Sequence, residues 1–207
     1  MIRLDHVITS GVFSLDGGDF EVDNNVWILG DDNEAIVIDA AHDHRAILAG
    51  LNGRSLKAIV CTHGHNDHIN AAAELADETG APILLHPDDA MLWEVVYPDR
   101  RIDDALADGT TLTIGGDELN VLHTPGHSPG GCCLYVPSHG MVFSGDTLFH
   151  GGPGATGRSF SSYDLILDSI EQRLFSLPAE TVVHTGHGDS TKIGTEAAHL
   201  AEWRAKQ

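Results

Sequence analysis

An α+β chain, with two β-sheets packed face to face and helices outside them, is the fold class the sequence predicts. Three observations lead there. The segments run strands first and then alternating strands and helices, and they do so twice over. The chain has 207 residues, 42% hydrophobic and 20% charged, which suits one domain with a true core. No stretch is rich enough in Pro, Ser or charge to act as a linker, so residues 1–207 are expected to form one domain.

The elements follow in order. Leu4 to Ile8, Val12 to Phe20, Val26 to Leu29 and Ala35 to Asp39 are alternating or β-branched segments and read as four strands. Gly17-Gly18, Asp23-Asn24 and Asp31-Asp32-Asn33 read as the turns between them. His42 to Leu51 has helical spacing, and Leu56 to Thr62 is a nearly continuous apolar run that suits a buried strand. Ile69 to Thr79 is Ala-rich and stops at Gly80, a helix with its C-terminal glycine. Ile83 to Leu85 is a strand, and Pro87 opens a helix that runs to about Tyr97. In the second half, Thr110 to Ile114, Glu118 to His123, Gly131 to Val136 and Met141 to Ser144 read as strands. Gly151 to Gly157 reads as a flexible loop within the domain. Tyr163 to Leu177 is an amphipathic helix, Thr181 to His184 a last strand and Thr195 to Ala205 a last helix.

Composition narrows the function. With 31 Asp+Glu against 11 Lys+Arg, the formal charge is −20. Such a chain offers no clustered cations for nucleic acid or for an anionic membrane surface. The N-terminus lacks the basic and apolar regions of a signal peptide, and no apolar run approaches the length of a spanning helix. Cys61, Cys132 and Cys133 are an odd count with no CxxC spacing, and they lie in apolar runs. They read as reduced core thiols, consistent with a cytoplasmic location. The 14 His stand out, because neutral imidazole is the commonest metal ligand and carboxylates are its usual companions.

The chemistry concentrates in Thr62-His63-Gly64-His65-Asn66-Asp67-His68, after an apolar strand and before a helix. Four ligand-type side chains in six residues cannot share one face of a strand or helix, but a loop can fold them around a point. Three more candidates follow, each after a strand and each behind a glycine: His127 in TPGHSPG, Asp146 in SGDTLF and His187 in GHG. Sites tend to be built where strand-end loops converge on one sheet edge.

HxHxDH followed by a separated His, Asp and His resembles the pattern of the metallo-β-lactamase superfamily. Within it, GDTLF, then Gly157-Arg158, then Leu177-Pro178 ahead of Gly186-His187-Gly188, are similar to the glyoxalase II (hydroxyacylglutathione hydrolase) group. The resemblance implies a four-layer αββα sandwich and a centre of two divalent metals, zinc foremost, with iron or manganese as alternatives. It places one metal on His63, His65 and His127 and the other on Asp67, His68 and His187, with Asp146 bridging. The catalytic parts would fall to Asp67, His127 and Asp146, and the nucleophile would be a hydroxide shared by the metals. The implied substrate is a small acyl-thiol. A lactone or carboxyl ester on the same centre is an alternative. So is persulfide oxygenation at a single iron held by His63, His127 and Asp146. Antibiotic hydrolysis is disfavoured, because zinc β-lactamases typically carry Cys or Ser where Asp146 stands.

Further expectations attach to single residues. Asp39, at a strand end, is expected to hold a ligand histidine. His150, Arg158 and Lys192 are candidate substrate contacts, with Arg158 weighed against a structural role. His6, His42, His44, His86, His139 and His199 are expected at the surface or at helix ends, and His123 and His184 behind the site or in the core. About 20 residues follow His187, too few for the C-terminal helical domain with which full-length glyoxalase II enzymes hold glutathione. A different thiol carrier is therefore in view. A homodimer is the remaining expectation.

Overall fold

The structure, a computed structural model, describes residues 2–206. The first sheet contains β1 (Arg3–Leu15), β2 (Gly18–Gly30), β3 (Glu34–Ile38), β4 (Ser55–Val60), β5 (Ile83–Leu85) and β6 (Asp104–Ala105), in that spatial order. β1, β2 and β3 pair antiparallel, and β3 to β6 run parallel. Parallel neighbours need crossovers. These are α1 (His44–Leu51) and the group α2 (Asn66–Ile69) and α3 (Ala72–Thr79), then α4 (Ala90–Val96).

The second sheet contains β7 (Thr111–Ile114), β8 (Asp117–His123), β9 (Cys132–Val136) and β10 (Met141–Gly145). A small ribbon of β11 (Leu148–Phe149) and β12 (Gly152–Pro153) follows. Next come α5 (Tyr163–Ser169), β13 (Val182–Thr185), β14 (Thr191–Lys192), α6 (Ile193–Ala197) and α7 (Leu200–Arg204). The sheet order is β14-β13-β10-β9-β8-β7.

Alternation along the strands sorts side chains into layers. Trp27, Leu29, Ile36, Ile38 and Val60 meet Leu119, Val121, Leu134 and Phe143 between the sheets. Their neighbours Ile28, Val37 and Ile59 point the other way and pack with Ile47, Leu75 and Trp93 of the helices. Val142 and Val183 do the same under Ile166, Ile170 and Trp203. The result is helix, sheet, sheet, helix, each interface lined by side chains whose burial is worth roughly 1.5–3 kcal/mol apiece.

The structure corrects several expected boundaries. The first two expected strands and the third are one long hairpin. Its turn is Asp16-Gly17, with φ of 52° and 77°, the two positive values that a two-residue Asp-Gly turn needs. Asp23-Asn24 is not a turn. Asn24 and Asn25 lie mid-strand, paired with Thr9 and Ile8, and they are buried because their amides bind other loops. The first helix begins only at His44, where Asp43 accepts from the Arg45 and Ala46 amides. The Ile69–Thr79 helix is two pieces, broken at Asn70-Ala71, and starts earlier, at Asn66. The Tyr163–Leu177 helix turns into one π-helical turn at Ile170–Leu174. The last helix is interrupted at Ala198-His199. The short strands β6, β11, β12 and β14 carry no alternation signal and were not expected from the sequence. Part of the Gly151–Gly157 loop is therefore paired.

Candidate metal centre

β4 carries the chain through Val60 to the edge of the first sheet, where the His63–His65 loop leaves it. The chain then turns into α2, whose first turn holds Asp67 and His68. The loop after β8 holds His127, the end of β10 holds Asp146, and the turn after β13 holds His187. These loops lie along one edge of both sheets. Cys132 N–H donates to Thr62 O at 2.8 Å and Asn25 N–H donates to Gly186 O at 2.8 Å, tying the two sheets together there. A side chain at Gly186 would run into Asp146 and His68, so only glycine lets the β13 turn approach this closely.

All seven side chains come together. His63, His65 and His127 bring one nitrogen each within 4.8 Å of one another, and so do the ligand atoms of Asp67, His68 and His187. His65 Nδ1 lies 2.9 Å from His127 Nε2, and His68 Nε2 lies 3.2 Å from His187 Nε2. Asp146 sits between the sets. Its Oδ1 is 3.3 Å from His68 Nε2, and its Oδ2 is 3.5 Å from both His127 Nε2 and His187 Nε2.

The outward nitrogens fix the rings. His127 Nδ1 donates to Ala155 O at 2.8 Å, His187 Nδ1 to Asp23 O at 2.7 Å, and His68 Nδ1 to Asp39 Oδ2 at 2.9 Å. Each bond turns Nε2 inward, the arrangement that orients metal-binding imidazoles. Asp39, at φ 59°, also accepts from the Thr62 amide at 2.7 Å and the Thr62 hydroxyl at 2.8 Å. It thus stands behind His68.

Charge is divided unequally. Burial, with His68 and the other imidazoles beside it, pushes the His63 pKa well down. Burial, then His127, pulls His65 to about 3. Both are neutral imidazoles at pH 7. Burial also works against the charged form of His187, but the Asp146 and Asp67 carboxylates outweigh it and raise the pKa to about 10. His68 is raised in the same way by Asp146, Asp67 and Asp39. Asp146 goes well below the usual carboxylate range because His68 and His187 overcome its burial.

These donors suit a bound cation. His63 Nε2 and Asp146 Oδ1 are buried with no hydrogen-bond partner among the described residues. A buried acceptor left unpaired costs about 1–3 kcal/mol, which a metal ion between them would remove. Imidazoles with carboxylates are a donor set for zinc, iron or manganese.

The other candidates differ in their distance from this cluster. His150 is exposed in the turn between β11 and β12. Lys192 pairs with Glu180 at 2.7 Å, level with Val182 and so three residues back along β13 from Thr185. Its substrate contact is not supported. Arg158 lies over the rings of Phe20 at 4.7 Å and Phe13 at 5.7 Å, beside a cavity that His65 and His127 also line. The three cysteines are free and buried, and burial holds the Cys133 thiol up at about 11.

Sequence reasoning missed several residues. Asp89 is fully buried and accepts from Gly64 N at 2.8 Å, Ser128 Oγ at 2.7 Å and Gly130 N at 2.6 Å, so it joins the His63–His65 loop to the His127 loop. Asn24 donates to Asp67 Oδ2 at 3.1 Å. His42, just ahead of α1 and so in one of its two expected places, is half-buried and bonds Asn24. His86 is stacked on His123 at 4.1 Å, and His6 on Trp27 at 4.1 Å. The paired asparagines inside a strand were the available signal.

Comparison with known proteins settles the lineage. The model of the metallo-beta-lactamase superfamily matches residues 20–187. The chain belongs to the metallo-beta-lactamase superfamily. The hydroxyacylglutathione hydrolase GloC of Haemophilus influenzae is 31% identical over 184 residues, covering 82% of this chain and 87% of that protein. The BLEG-1 B3 metallo-beta-lactamase superposes with a TM-score of 0.78 at 31% identity, over 94% of this chain and 99% of that one. TTHA1623, solved in a di-iron-bound form, gives 0.77 at 33% identity, over 85% and 93%. The superfamily fold implies divalent metal ions and a metallo-hydrolase. Among the described residues no helix is long and apolar enough to cross a membrane.

Proposed function

We propose that the chain hydrolyses small acyl-thiol esters of the glyoxalase II type at a centre of two divalent metal ions, zinc foremost. His63, His65 and His127 would hold one ion and Asp67, His68 and His187 the other, with Asp146 between them. The observation that carries this reading is Asp146, one half-buried carboxylate whose two oxygens reach both histidine sets. The di-iron form of TTHA1623 and the likeness to GloC support two metals and a thioester.

Two ions held there would supply a water of lowered pKa and a Lewis acid for the substrate carbonyl. The chain does the rest. Asp67, held by Asn24, takes the proton of the attacking water. Among the described residues Arg158 makes no ion pair, although the Asp16 carboxylate feels its charge, and it is steadied by two aromatic faces beside the cavity. It is placed to hold a carboxylate on the thiol carrier. On the other side of His65, a groove of roughly 400 Å³ lined by Leu15, Leu92, Val95, Val96 and Phe160 offers room for an apolar portion. The three thiols stay protonated in the core and take no part.

The test is to load the protein with zero, one or two equivalents of zinc or iron and offer it thioesters, lactones, a β-lactam and a persulfide. Thioester turnover that rises with the second equivalent is expected. Asp146→Asn should cut it by about 100-fold or more, because the ligand common to both sets is lost. Turnover of lactones or the β-lactam without thioesters overturns the substrate reading. Oxygen uptake with one iron per chain overturns the hydrolytic one.

A further inference from the structure

His42 lies outside the metal-binding motifs, yet its ring occupies a built position. Its backbone φ is 59°, a conformation that residues with a Cβ avoid unless the surroundings impose it. The ring packs against Gly11 of β1, where any side chain would overlap it.

A directed chain of hydrogen bonds passes through this ring. Asn70 Oδ1 accepts from the His42 backbone N–H at 2.7 Å, so the Asn70 amide nitrogen is the atom facing His42 Nδ1 at 3.0 Å. Nδ1 must therefore accept, and Nε2 carries the hydrogen. Nε2 lies 2.9 Å from Asn24 Oδ1, to which it donates. Asn24, fully buried in β2, then donates its Nδ2–H to Asp67 Oδ2 at 3.1 Å. The chain is anchored at both ends, by a backbone N–H that can only donate and a carboxylate that can only accept. Reversing any link would set donor against donor. Burial, which pulls the His42 pKa down, keeps the ring neutral as this chain requires.

We propose that His42 is a positioning residue that acts through Asn24 to fix the direction of the Asp67 carboxylate. The oxygen so held is the one 3.3 Å from His187 Nε2 and 3.5 Å from His68 Nε2. His42 therefore controls one of the two metal positions and leaves the His63, His65, His127 position alone. This rests on the reading of Asp67 as a metal ligand given above.

The experiment titrates metal-free protein with zinc against a competing chelator, resolving the two equivalents. His42→Phe keeps a ring but has no N–H for Asn24. His42→Gln restores an amide donor near the place of Nε2. Partners behind a ligand typically change metal affinity by 10–100-fold. His42→Phe should weaken one equivalent by about tenfold and leave the other within about twofold, and His42→Gln should recover most of the loss. Gly11→Ala, which displaces the ring without altering it, should reproduce the one-site loss. Melting of each metal-free variant verifies that it folds.

A folded His42→Phe with both equivalents unchanged overturns the proposal. So do equal weakening of both equivalents and a His42→Gln no better than His42→Phe. A wild type that takes two zinc ions but cleaves no thioester overturns the proposed substrate while the His42 result stands. A wild type that takes one ion overturns the two-metal reading and this inference with it.

Discussion

At His187 a proton and the proposed metal ion would compete for the same nitrogen. Nδ1 is committed to Asp23 O, so both must use Nε2. Without metal, Asp146 and Asp67 prevail over burial and keep that nitrogen protonated up to about pH 10, whereas a free histidine gives up its proton near pH 6.5. The sign follows. For the metal-free fold, the stability that His187 lends is fully present below about pH 6.5 and is lost as pH rises through about 10. For the metal, binding between those values expels the proton, so zinc should bind more tightly as pH rises, by up to about tenfold per unit for each proton released. Calorimetry at pH 8 in buffers of different ionisation enthalpy checks this, and a heat independent of buffer contradicts it. The seven side chains that meet at the centre could be picked from the sequence because metal chemistry restricts residue type and because each lies in a short motif at a strand end. His42 and Asn24 could not. Their roles depend on a left-handed backbone at 42 and on bonds across 18 and 43 residues.

Among the elements, β2 does the most to hold the centre in place. Asn25 donates its side-chain N–H to Gly188 O at 2.9 Å and to Thr185 O at 3.1 Å, and its backbone N–H to Gly186 O at 2.8 Å. One strand of the first sheet thus grips the turn of the second that carries His187. Asn25→Ala should lose about 0.5–1.5 kcal/mol, the net worth of the side-chain bonds removed, because Thr185 O keeps the Trp27 indole N–H and Gly186 O keeps the backbone N–H of residue 25. It should also raise amide exchange at 185–188 above that elsewhere in the second sheet. An unchanged melting temperature with unchanged exchange would remove β2 from this role. The short apolar strands β3, β4 and β10 were readable because they are nearly continuous apolar runs that are mostly buried. The β1–β2 hairpin was cut into pieces because Asn24 and Asn25 carry the chemistry of a turn, although long-range bonding keeps them extended. The two-residue strands β6, β11, β12 and β14 are fixed by the strands they pair with, which no local pattern records.

On the scale of the molecule, the centre bridges the seam between the sheets. The first sheet supplies His63, His65, Asp67 and His68, and the second supplies His127, Asp146 and His187. Two divalent ions would move the formal charge from −20 to about −16, so most of the acidity remains solvated surface. The uneven split of ligands also shapes how the chain reaches its native state. Four of the seven lie within six residues of each other and can meet an ion as soon as that short loop closes. The remaining three must wait for both sheets to form and dock, which is slow because their contacts are distant along the chain. On the proposed metal reading, zinc present from the first moment of refolding would be captured by an unfinished set of ligands. Refolding into zinc should be slower than refolding into chelator with zinc added afterwards. Equal rates from the two orders of addition would show that the early quartet does not trap the ion. The order in which chain and metal meet becomes a property written into the spacing of seven residues.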